Sequence, residues 1–237
     1  MPKQQNSKAK SGRTAPVLEN HRVRVAREKR GRMLAHLFES VLAVCPGSDP
    51  SAPAVIDDVV KHAKVSRGTF YKYFSSLEEA IELLGEKFAD ELARDYALLY
   101  EELTDPRLRA ATGFSIYLSR AVIEPRWGSF VAHLSQRHPG DALRREVSRD
   151  LASGIEKGVF SIRAVDVAVD LVIGAKIQAI RHLIENQSSR RYIETMAGLI
   201  LRSLGVPPDS ADEIAIEASN RLHREARDRI TWWRPFK

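Results

Sequence analysis

The sequence predicts an all-α fold, in which a small N-terminal unit of three helices precedes a larger helical bundle. Apolar residues recur at helical spacing over most of the chain, and no useful length alternates between apolar and polar residues as a half-buried strand does. Segments rich in Pro, Gly, Asp and Ser divide the chain into helices of ordinary length. With 237 residues, of which 43% are hydrophobic, the chain is long enough to bury a substantial core.

Positive charge is concentrated at the N-terminus. Residues 1–32 contain ten Lys or Arg and only two Glu, a formal charge of +8, whereas the whole chain carries +6. Residues 1–20 also lack helical periodicity and contain Pro2, Gly12 and Pro16, so we expect a disordered basic arm there. The arm would either contact an anionic partner or act only as a solubilising tail.

The composition argues against several functional classes. Cys45 is the single cysteine, which excludes an internal disulfide and indicates a reducing compartment. The most apolar run, residues 164–180, is interrupted by Asp166, Asp170 and Lys176, so we expect no membrane partner and a cytoplasmic location. The sequence has no phosphate-binding glycine loop, nucleophile motif or metal-ligand cluster, so we expect no enzyme activity, cofactor or metal.

The first two helices lead into a tight turn. The first is predicted over about residues 23–44, and the segment CPGSDPSAP ends it. The second begins after Pro53 and carries an apolar stripe of Ile56, Val59, Val60 and Ala63. Only residues 64–66 separate it from a third short helix, which Ser66 is suited to cap. Two short helices joined so tightly indicate a helix-turn-helix.

The third helix has an inner and an outer face. On a helical wheel Phe70 and Phe74 point inward. The outward face offers hydroxyl, guanidinium, ammonium and phenol groups and, at the glycine, a bare backbone. Its residues are Ser66, Arg67, Gly68, Thr69, Tyr71, Lys72 and Tyr73. These groups suit phosphates and base edges, so the surface is a candidate nucleic-acid interface. A glycine inside a helix is unfavourable unless a partner approaches its backbone, although a first-turn glycine can also be harmless.

The segment IDDVVKHAKVSRGTFYKYFSSLEEAIELL, residues 56–84, resembles the DNA-binding domain of TetR-family transcriptional regulators. The resemblance rests on the run V-S-x-G-T-F-Y-x-Y-F and the S-x-E-x-A that follows it. It implies three parts: a disordered basic arm (1–20), a helix-turn-helix DNA-binding domain (21–76), and a helical ligand-binding and dimerisation domain (77–237). It also implies a ligand-responsive repressor that binds a palindromic operator as a homodimer.

The resemblance assigns the third helix to the major groove of operator DNA. The residues that match the family's contact positions are Ser66, Arg67, Thr69, Tyr71, Lys72 and Tyr73, and Tyr71 resembles a phosphate contact. Lys64 stands where the family usually has a turn glycine, and Leu77 replaces a lysine that commonly contacts the DNA backbone. These two departures support an alternative, a ligand-binding or protein-interaction module that has lost DNA binding.

The resemblance further implies an unidentified small-molecule effector. The helix from Leu77 to about Leu103 corresponds to the family's connecting rod, whose swing changes the spacing of the two recognition helices. The candidate cavity residues are Phe88, Leu92, Tyr96, Phe114, Tyr117, Trp127, Phe130, His133 and Leu134. Each of them is also a candidate for ordinary core. Arg126, His133 and Gln136 would suit an anionic or hydrogen-bonding ligand.

Two later helices, at about residues 165–185 and 190–204, are rich in small and branched apolar residues. In the family such a pair forms a four-helix dimer interface across a two-fold axis; the alternative is an intramolecular hairpin on the core. A further amphipathic helix is predicted from residue 209 to about 230. We expect the tail that follows it, with Trp232, Trp233 and Phe236, to pack on the bundle rather than bind a partner.

Overall fold

The structure, a computed structural model, describes residues 21–45, 53–137, 141–186 and 190–236, with the side chains of 134–137 and 141–143 left aside. Its helices are α1 (His21–Val44), α2 (Ile56–Ala63), α3 (Arg67–Phe70), α4 (Leu77–Tyr100), α5 (Pro106–Ile123), α6 (Pro125–Arg137), α7 (Asp141–Glu156), α8 (Val165–Glu185), α9 (Arg190–Ser203) and α10 (Pro208–Arg229). These residues contain no strand, and the all-α prediction is confirmed. The predicted basic arm, residues 1–20, and the side chains of Leu134 and Gln136 lie outside the described part.

The first three helices form a small unit with its own core. The apolar stripe of α2 packs along α1, and the fully buried side chains of Leu37, Val41, Val59 and Phe70 meet between them. The same helix pair is joined by a hydrogen bond from His36 Nε2 to the carbonyl of Ala63, 2.8 Å long. A packed unit of this kind fixes where α3 points, as the sequence predicted.

The long helix α4 leads from this unit into the bundle. Its 24 residues span about 36 Å, and Ser76 caps its start by accepting a hydrogen bond from the amide of Glu79 at 3.1 Å. Near its start α4 packs on α1, and farther along it contacts α6 and α10. One continuous helix therefore connects the small unit to the bundle, as predicted.

Helix α5 is the centre of the bundle. Asp105 caps it by accepting a hydrogen bond from the amide of Arg107 at 2.9 Å, and every residue from 111 to 121 is buried. Helices α6, α7, α8, α9 and α10 all pack against it. At Gly128 of α6 an added Cβ would lie 2.9 Å from the Cβ of Ala121, so glycine permits the close approach of α6 to α5.

The predicted pair of late helices is present as α8 and α9, and the rings of His182 and Tyr192 stack between them with centroids 4.4 Å apart. Helix α8 packs on α5, α6 and α7, whereas α9 packs on α5 and lies along α10. An added Cβ at Gly198 would meet the flexible carboxylate end of Asp212 and would lie 3.9 Å from the carbonyl oxygen of Ala211, so the packing of α9 on α10 does not require a glycine there. Both helices also pack on the central helix α5, so the dimer interface and the intramolecular hairpin on the core both stay predictions.

The aromatic tail packs on the bundle, as expected. Trp232 and Trp233 are buried, and Trp232 Nε1 donates a 2.8 Å hydrogen bond to Asp95 Oδ2 on α4. Arg229 Nη1 donates to the carbonyl of Leu98, also on α4. The C-terminal segment thus holds the connecting helix from outside. Among the helices described, none has both the length and the hydrophobicity that crossing a membrane would need.

Candidate nucleic-acid interface and internal chamber

The turn between α2 and α3 is built around Lys64. This residue has φ 53° and ψ 41°, the left-handed conformation that favours glycine. The amide of Lys64 donates to the carbonyl of Lys61 at 3.3 Å, and the amide of Val65 donates to the carbonyl of Val60 at 3.0 Å. The lysine therefore takes the backbone conformation that a glycine would take at this helix end.

Lys64→Gly is expected to raise the free energy of unfolding by about 1 kcal/mol, because a side chain in the left-handed region costs about 1–2 kcal/mol and the added freedom of unfolded glycine offsets part of the gain. Urea denaturation followed by circular dichroism measures the change. Lys64→Val should be destabilising, since a β-branched residue fits this conformation poorly. Equal stability of the glycine variant and the wild type would contradict the assigned backbone geometry.

The segment that follows the turn is held by one cap and two buried rings. Ser66 Oγ accepts a 3.1 Å hydrogen bond from the amide of Thr69 and caps α3. The helix is a single turn, and residues 71–73 continue it as a turn. Phe70 and Phe74 are at most 2% exposed, and their ring centroids lie 5.2 Å apart. Their predicted inward orientation is confirmed.

The outer side of this segment is open to solvent. Tyr71 is 54% exposed, and Gly68 and Lys72 are exposed as well. Thr69 and Tyr73 are half-buried: the hydroxyl of Thr69 is hydrogen-bonded to Ser66 Oγ, and the Tyr73 ring lies beneath the guanidinium of Arg30 at 5.4 Å. An added Cβ at Gly68 would meet only Ser66 Oγ, at 3.8 Å, so the fold itself does not require a glycine there.

Arg67 is engaged with the first helix of the motif. Its Nε donates a 2.5 Å hydrogen bond to Asp57 Oδ1, and its Nη2 pairs with Asp57 Oδ2. Both side chains are exposed. This pair lowers the pKa of Asp57 and raises the pKa of Arg67, and both shifts arise chiefly from the hydrogen bonds between the two groups.

The start of α1 extends the positive surface of the small unit. All residues from 21 to 32 are helical and exposed. Six of them are basic: Arg22, Arg24, Arg27, Lys29, Arg30 and Arg32. Three turns of helix therefore present the charge that the sequence concentrates at this end. The contact of Arg30 with Tyr73 places this helix beside the segment after α3.

An internal chamber lies in the bundle between α4, α5, α7, α8 and α9. Its open volume is about 30 Å³, close to that of one water molecule. Tyr96 and Tyr100 of α4 stack in its wall, and their hydroxyls donate to the carbonyls of Gly113 and Arg109. Burial raises the pKa of both tyrosines well above the usual value. The chamber is therefore narrow, partly aromatic and in direct contact with the end of α4.

A buried lysine supplies the charge in the chamber. Lys176 of α8 is 4% exposed, and its Nζ lies 5.0 Å from the ring centroid of Tyr117. Burial lowers the pKa of Lys176 to about 8, and the negative charges of Glu146 and Asp150 on α7 oppose this shift only in part. The pKa of Glu146 is raised by burial and by the charge of Asp150. The chamber thus offers one ammonium donor and two carboxylates.

The structure distributes the predicted cavity residues among several places. Tyr96 and Phe114 line the chamber, and Tyr117 contacts Lys176. Phe88 and Trp127 line a separate cleft of about 870 Å³ at the junction of α1, α4, α6 and the tail, and Arg126 lies there too. Leu92 and Phe130 are buried in the core, and His133 is half-buried.

Sequence reasoning missed Tyr100, Glu146, Asp150 and Lys176 as chamber residues. A usable signal was present for Lys176, because it is the one cation in the apolar run 164–180. The two carboxylates belong to the charged helix α7, where nothing in the sequence separates an inward acidic residue from a solvated one. In the described residues no three His, Cys, Asp or Glu side chains are grouped so as to hold a metal ion.

Arg120, which is 3% exposed, lines the outer cleft. Its Nη2 donates to Glu91 Oε2 at 2.6 Å and its Nε to Glu124 Oε2 at 2.9 Å. The guanidinium also lies 4.9 Å from the ring centroid of Trp127 and 5.2 Å from that of Trp232. These contacts join α4, α5 and the tail, so we assign Arg120 a structural role.

Comparisons with known proteins agree with this architecture. Residues 105–217 match the family model of the "Tetracyclin repressor-like, C-terminal domain". The structure of RolR in complex with resorcinol aligns with a TM-score of 0.61 and 26% identity, over 80% of this chain and 95% of RolR. A TetR-family transcriptional regulator from Pectobacterium atrosepticum aligns with a TM-score of 0.55 and 18% identity, over 76% and 96% of the two chains. A gamma-butyrolactone receptor, an ArpA-like protein, aligns with a TM-score of 0.63 and 14% identity, over 83% of this chain and 99% of the receptor chain.

No curated protein matches the chain. The family-model match nevertheless covers most of the bundle, and the aligned structures cover the greater part of the chain. Residues 105–217 therefore resemble the C-terminal domain of tetracyclin repressor-like proteins, and the fold, with its N-terminal helix-turn-helix, is that of TetR-family transcriptional regulators.

Proposed function

We propose that the chain is a homodimeric repressor that binds a palindromic operator and releases it when a small molecule enters the internal chamber. The observation that carries the DNA-binding part is the exposed face of Gly68, Tyr71 and Lys72, held rigidly by two buried phenylalanines. Ammonium, phenol and open backbone groups on one short helix suit phosphates and base edges in a major groove. Lys64, Ser66, Arg67, Thr69 and Tyr73 complete the proposed contact set.

The exposed basic turns of α1 support the same partner. Because these residues belong to the same packed unit as α3, they would add contacts to the phosphate backbone or an adjacent minor groove. Such contacts depend on salt, since each neutralised phosphate releases counterions. The positive charge of the N-terminal region therefore supplies affinity, and the α3 face supplies sequence preference.

The alternative, a module that has lost DNA binding, rested on Lys64 and Leu77. Lys64 takes the conformation of the expected glycine, and Leu77 is buried at the start of α4. Both departures therefore have roles that are compatible with an intact helix-turn-helix. No feature of the α3 face favours the alternative.

We propose that the dimer forms through the last three helices. Large apolar side chains are exposed there at Val167 and Leu171 of α8, Leu199 of α9 and Ile216 of α10. Leu199 and Ile216 line one groove. Exposed large apolar side chains are typical of protein interfaces. This surface includes the proposed region 165–204 and adds α10, because α10 lies along α9.

We assign the effector site to the internal chamber. Lys176 can donate to a ligand oxygen, Glu146 and Asp150 can accept from ligand hydroxyls, and the tyrosine rings can stack on an aromatic ring. RolR, which shares 26% identity, has been crystallised with resorcinol, a benzene ring with two hydroxyl groups. A small phenolic compound is therefore the ligand class that we propose for this chain.

Entry of such a ligand requires the chamber to expand, since about 30 Å³ holds little more than a water molecule. Tyr96 and Tyr100 in the chamber wall belong to α4, whose other end packs on the small unit. Displacement of these rings would therefore tilt α4 and change the separation of the two recognition helices in a dimer. The ligand binds the expanded state more tightly than the narrow one, and this difference in binding free energy sets the limit on how far it lowers the affinity for the operator.

The DNA-binding proposal is tested by three variants of the exposed face, Gly68→Ala, Tyr71→Ala and Lys72→Ala. Each is expected to weaken binding to a mixed-sequence duplex while leaving the melting temperature unchanged or, for Gly68→Ala, slightly raised. Fluorescence anisotropy at several salt concentrations measures the effect, and Lys72→Ala should also reduce the salt slope by about 1 per protomer. Wild-type affinity in all three variants would refute the assignment of this face.

A further inference from the structure

We propose that Asp57 is a specificity-determining positioning residue, which holds Arg67 so that the free edge of its guanidinium reads a guanine in the operator. This inference rests on the proposed DNA binding. Asp57 lies in the first turn of α2, and Arg67 is the first residue of α3. The pair therefore crosses the helix-turn-helix from one helix start to the other.

The geometry of the pair leaves a defined part of Arg67 available. The contacts to Asp57 use Nε and one hydrogen of Nη2, which form one side of the planar guanidinium. The second hydrogen of Nη2 and both hydrogens of Nη1 stay free of this pair. Nη1 and Nη2 together form the end-on edge, and two parallel N–H groups match the O6 and N7 acceptors of guanine.

The two-point contact also orients the side chain before DNA arrives. A free arginine at the start of a helix samples many rotamers, and ordering them costs affinity on binding. A planar fork held by both carboxylate oxygens has far fewer orientations. The hydroxyls of Thr69 and Ser66 are hydrogen-bonded to each other at 3.0 Å. Arg67 is therefore the donor on this surface whose orientation is best suited to base recognition.

The experiment measures base preference as well as affinity. Full-length wild type, Asp57→Asn, Arg67→Lys and the double variant are titrated by fluorescence anisotropy against a set of duplexes. The set carries every single-base substitution of a half-site that the wild type selects from a random pool, and salt is held constant. Asp58→Asn is the matched control, because it removes the same charge from the same helix turn while its amide can still accept from the amide of Val55.

We expect the wild type to prefer guanine at one position of the half-site by about ten-fold or more. Arg67→Lys should abolish most of this preference, since lysine lacks the planar fork. Asp57→Asn should reduce the preference for guanine at least about three-fold, and at that position alone. The double variant should lose no more of this preference than Arg67→Lys loses by itself. Asp58→Asn should keep the wild-type profile. Thermal melting of each variant shows that the fold is retained.

Two results would overturn the inference while leaving DNA binding in place. In one, Asp57→Asn keeps the full guanine preference and gains affinity equally for all duplexes, which means that Asp57 only repels phosphates. In the other, Arg67→Lys leaves every base preference unchanged. Failure of the wild type to select any sequence would overturn the proposed function, and the role of Asp57 with it.

Discussion

Phe70→Ala is expected to lower the free energy of unfolding by about 3–5 kcal/mol and to abolish DNA binding. Phe70 is fully buried, and α3 is a single helical turn that has too few internal hydrogen bonds to be stable alone. Its position depends on the ring of Phe70, which packs against Phe74 and the first two helices. Loss of the ring leaves a cavity under the recognition surface.

Guanidinium denaturation of Phe70→Ala, followed by circular dichroism, measures this effect. Tyr71→Ala is the matched control, because the next residue in the chain is 54% exposed and its loss should change stability by less than about 0.5 kcal/mol. Phe70→Leu should be intermediate, since it retains much of the buried volume. Similar losses of stability for Phe70→Ala and Tyr71→Ala would contradict the assignment of inner and outer faces.

Lys176→Met is expected to raise the free energy of unfolding by about 2 kcal/mol at pH 7 and to abolish the response to effector. Lys176 is buried among aromatic rings, and the two carboxylates nearby compensate its charge only in part. Replacing a buried, poorly compensated charge by an apolar side chain of similar length commonly stabilises a protein. The variant would be more stable but would lose the contact between Lys176 and the ligand, as expected when a functional residue is replaced.

The same lysine predicts a pH dependence with a defined sign. Its pKa of about 8 in the folded chain lies below the ordinary value of 10.5. Below pH 8 both states are protonated, and folding carries the full cost of the buried charge. As pH rises from 8 towards 10.5, the folded chain loses this proton before the unfolded chain does, so stability increases. Between pH 7.5 and 9.5 the gain amounts to about 2 kcal/mol relative to Lys176→Met.

Urea denaturation of both proteins across this pH range separates Lys176 from the other titrating groups, because they are common to the two chains. The binding of resorcinol and related phenols, measured by isothermal titration calorimetry, provides the functional comparison. Parallel stability curves for wild type and Lys176→Met would show that the lysine is not buried as a charge. Equal phenol binding by both proteins would remove Lys176 from the effector site.

Much of the small N-terminal unit could be predicted from the sequence, because its signals are local. The apolar stripe of α2, the cap at Ser66 and the inward spacing of Phe70 and Phe74 each depend on residues within one or two turns. The backbone conformation of Lys64 was harder to predict, because a lysine rarely adopts the left-handed conformation. Here that conformation is required by the helices on both sides of the turn.

The internal chamber could not be predicted, because it depends on which helices become neighbours. Phe88 and Tyr96 are on one stripe of α4. Yet Phe88 is covered by α6 and the tail, whereas Tyr96 is covered by α7. Glu146 and Asp150 acquire their role only when α7 packs against the central helix. The Asp57–Arg67 pair depends likewise on the angle between α2 and α3, which the turn at Lys64 determines.

Selection of bound DNA from a random pool by the full-length chain tests the central claim most directly. The account predicts that the wild type enriches two inverted half-sites whose centres lie about one helical turn apart, roughly 34 Å. The combined variant Arg67→Lys, Gly68→Ala, Tyr71→Ala, Lys72→Ala, with the same fold and the same basic N-terminal region, should enrich no motif. Enrichment of the same motif by this variant, or of none by the wild type, would contradict the account.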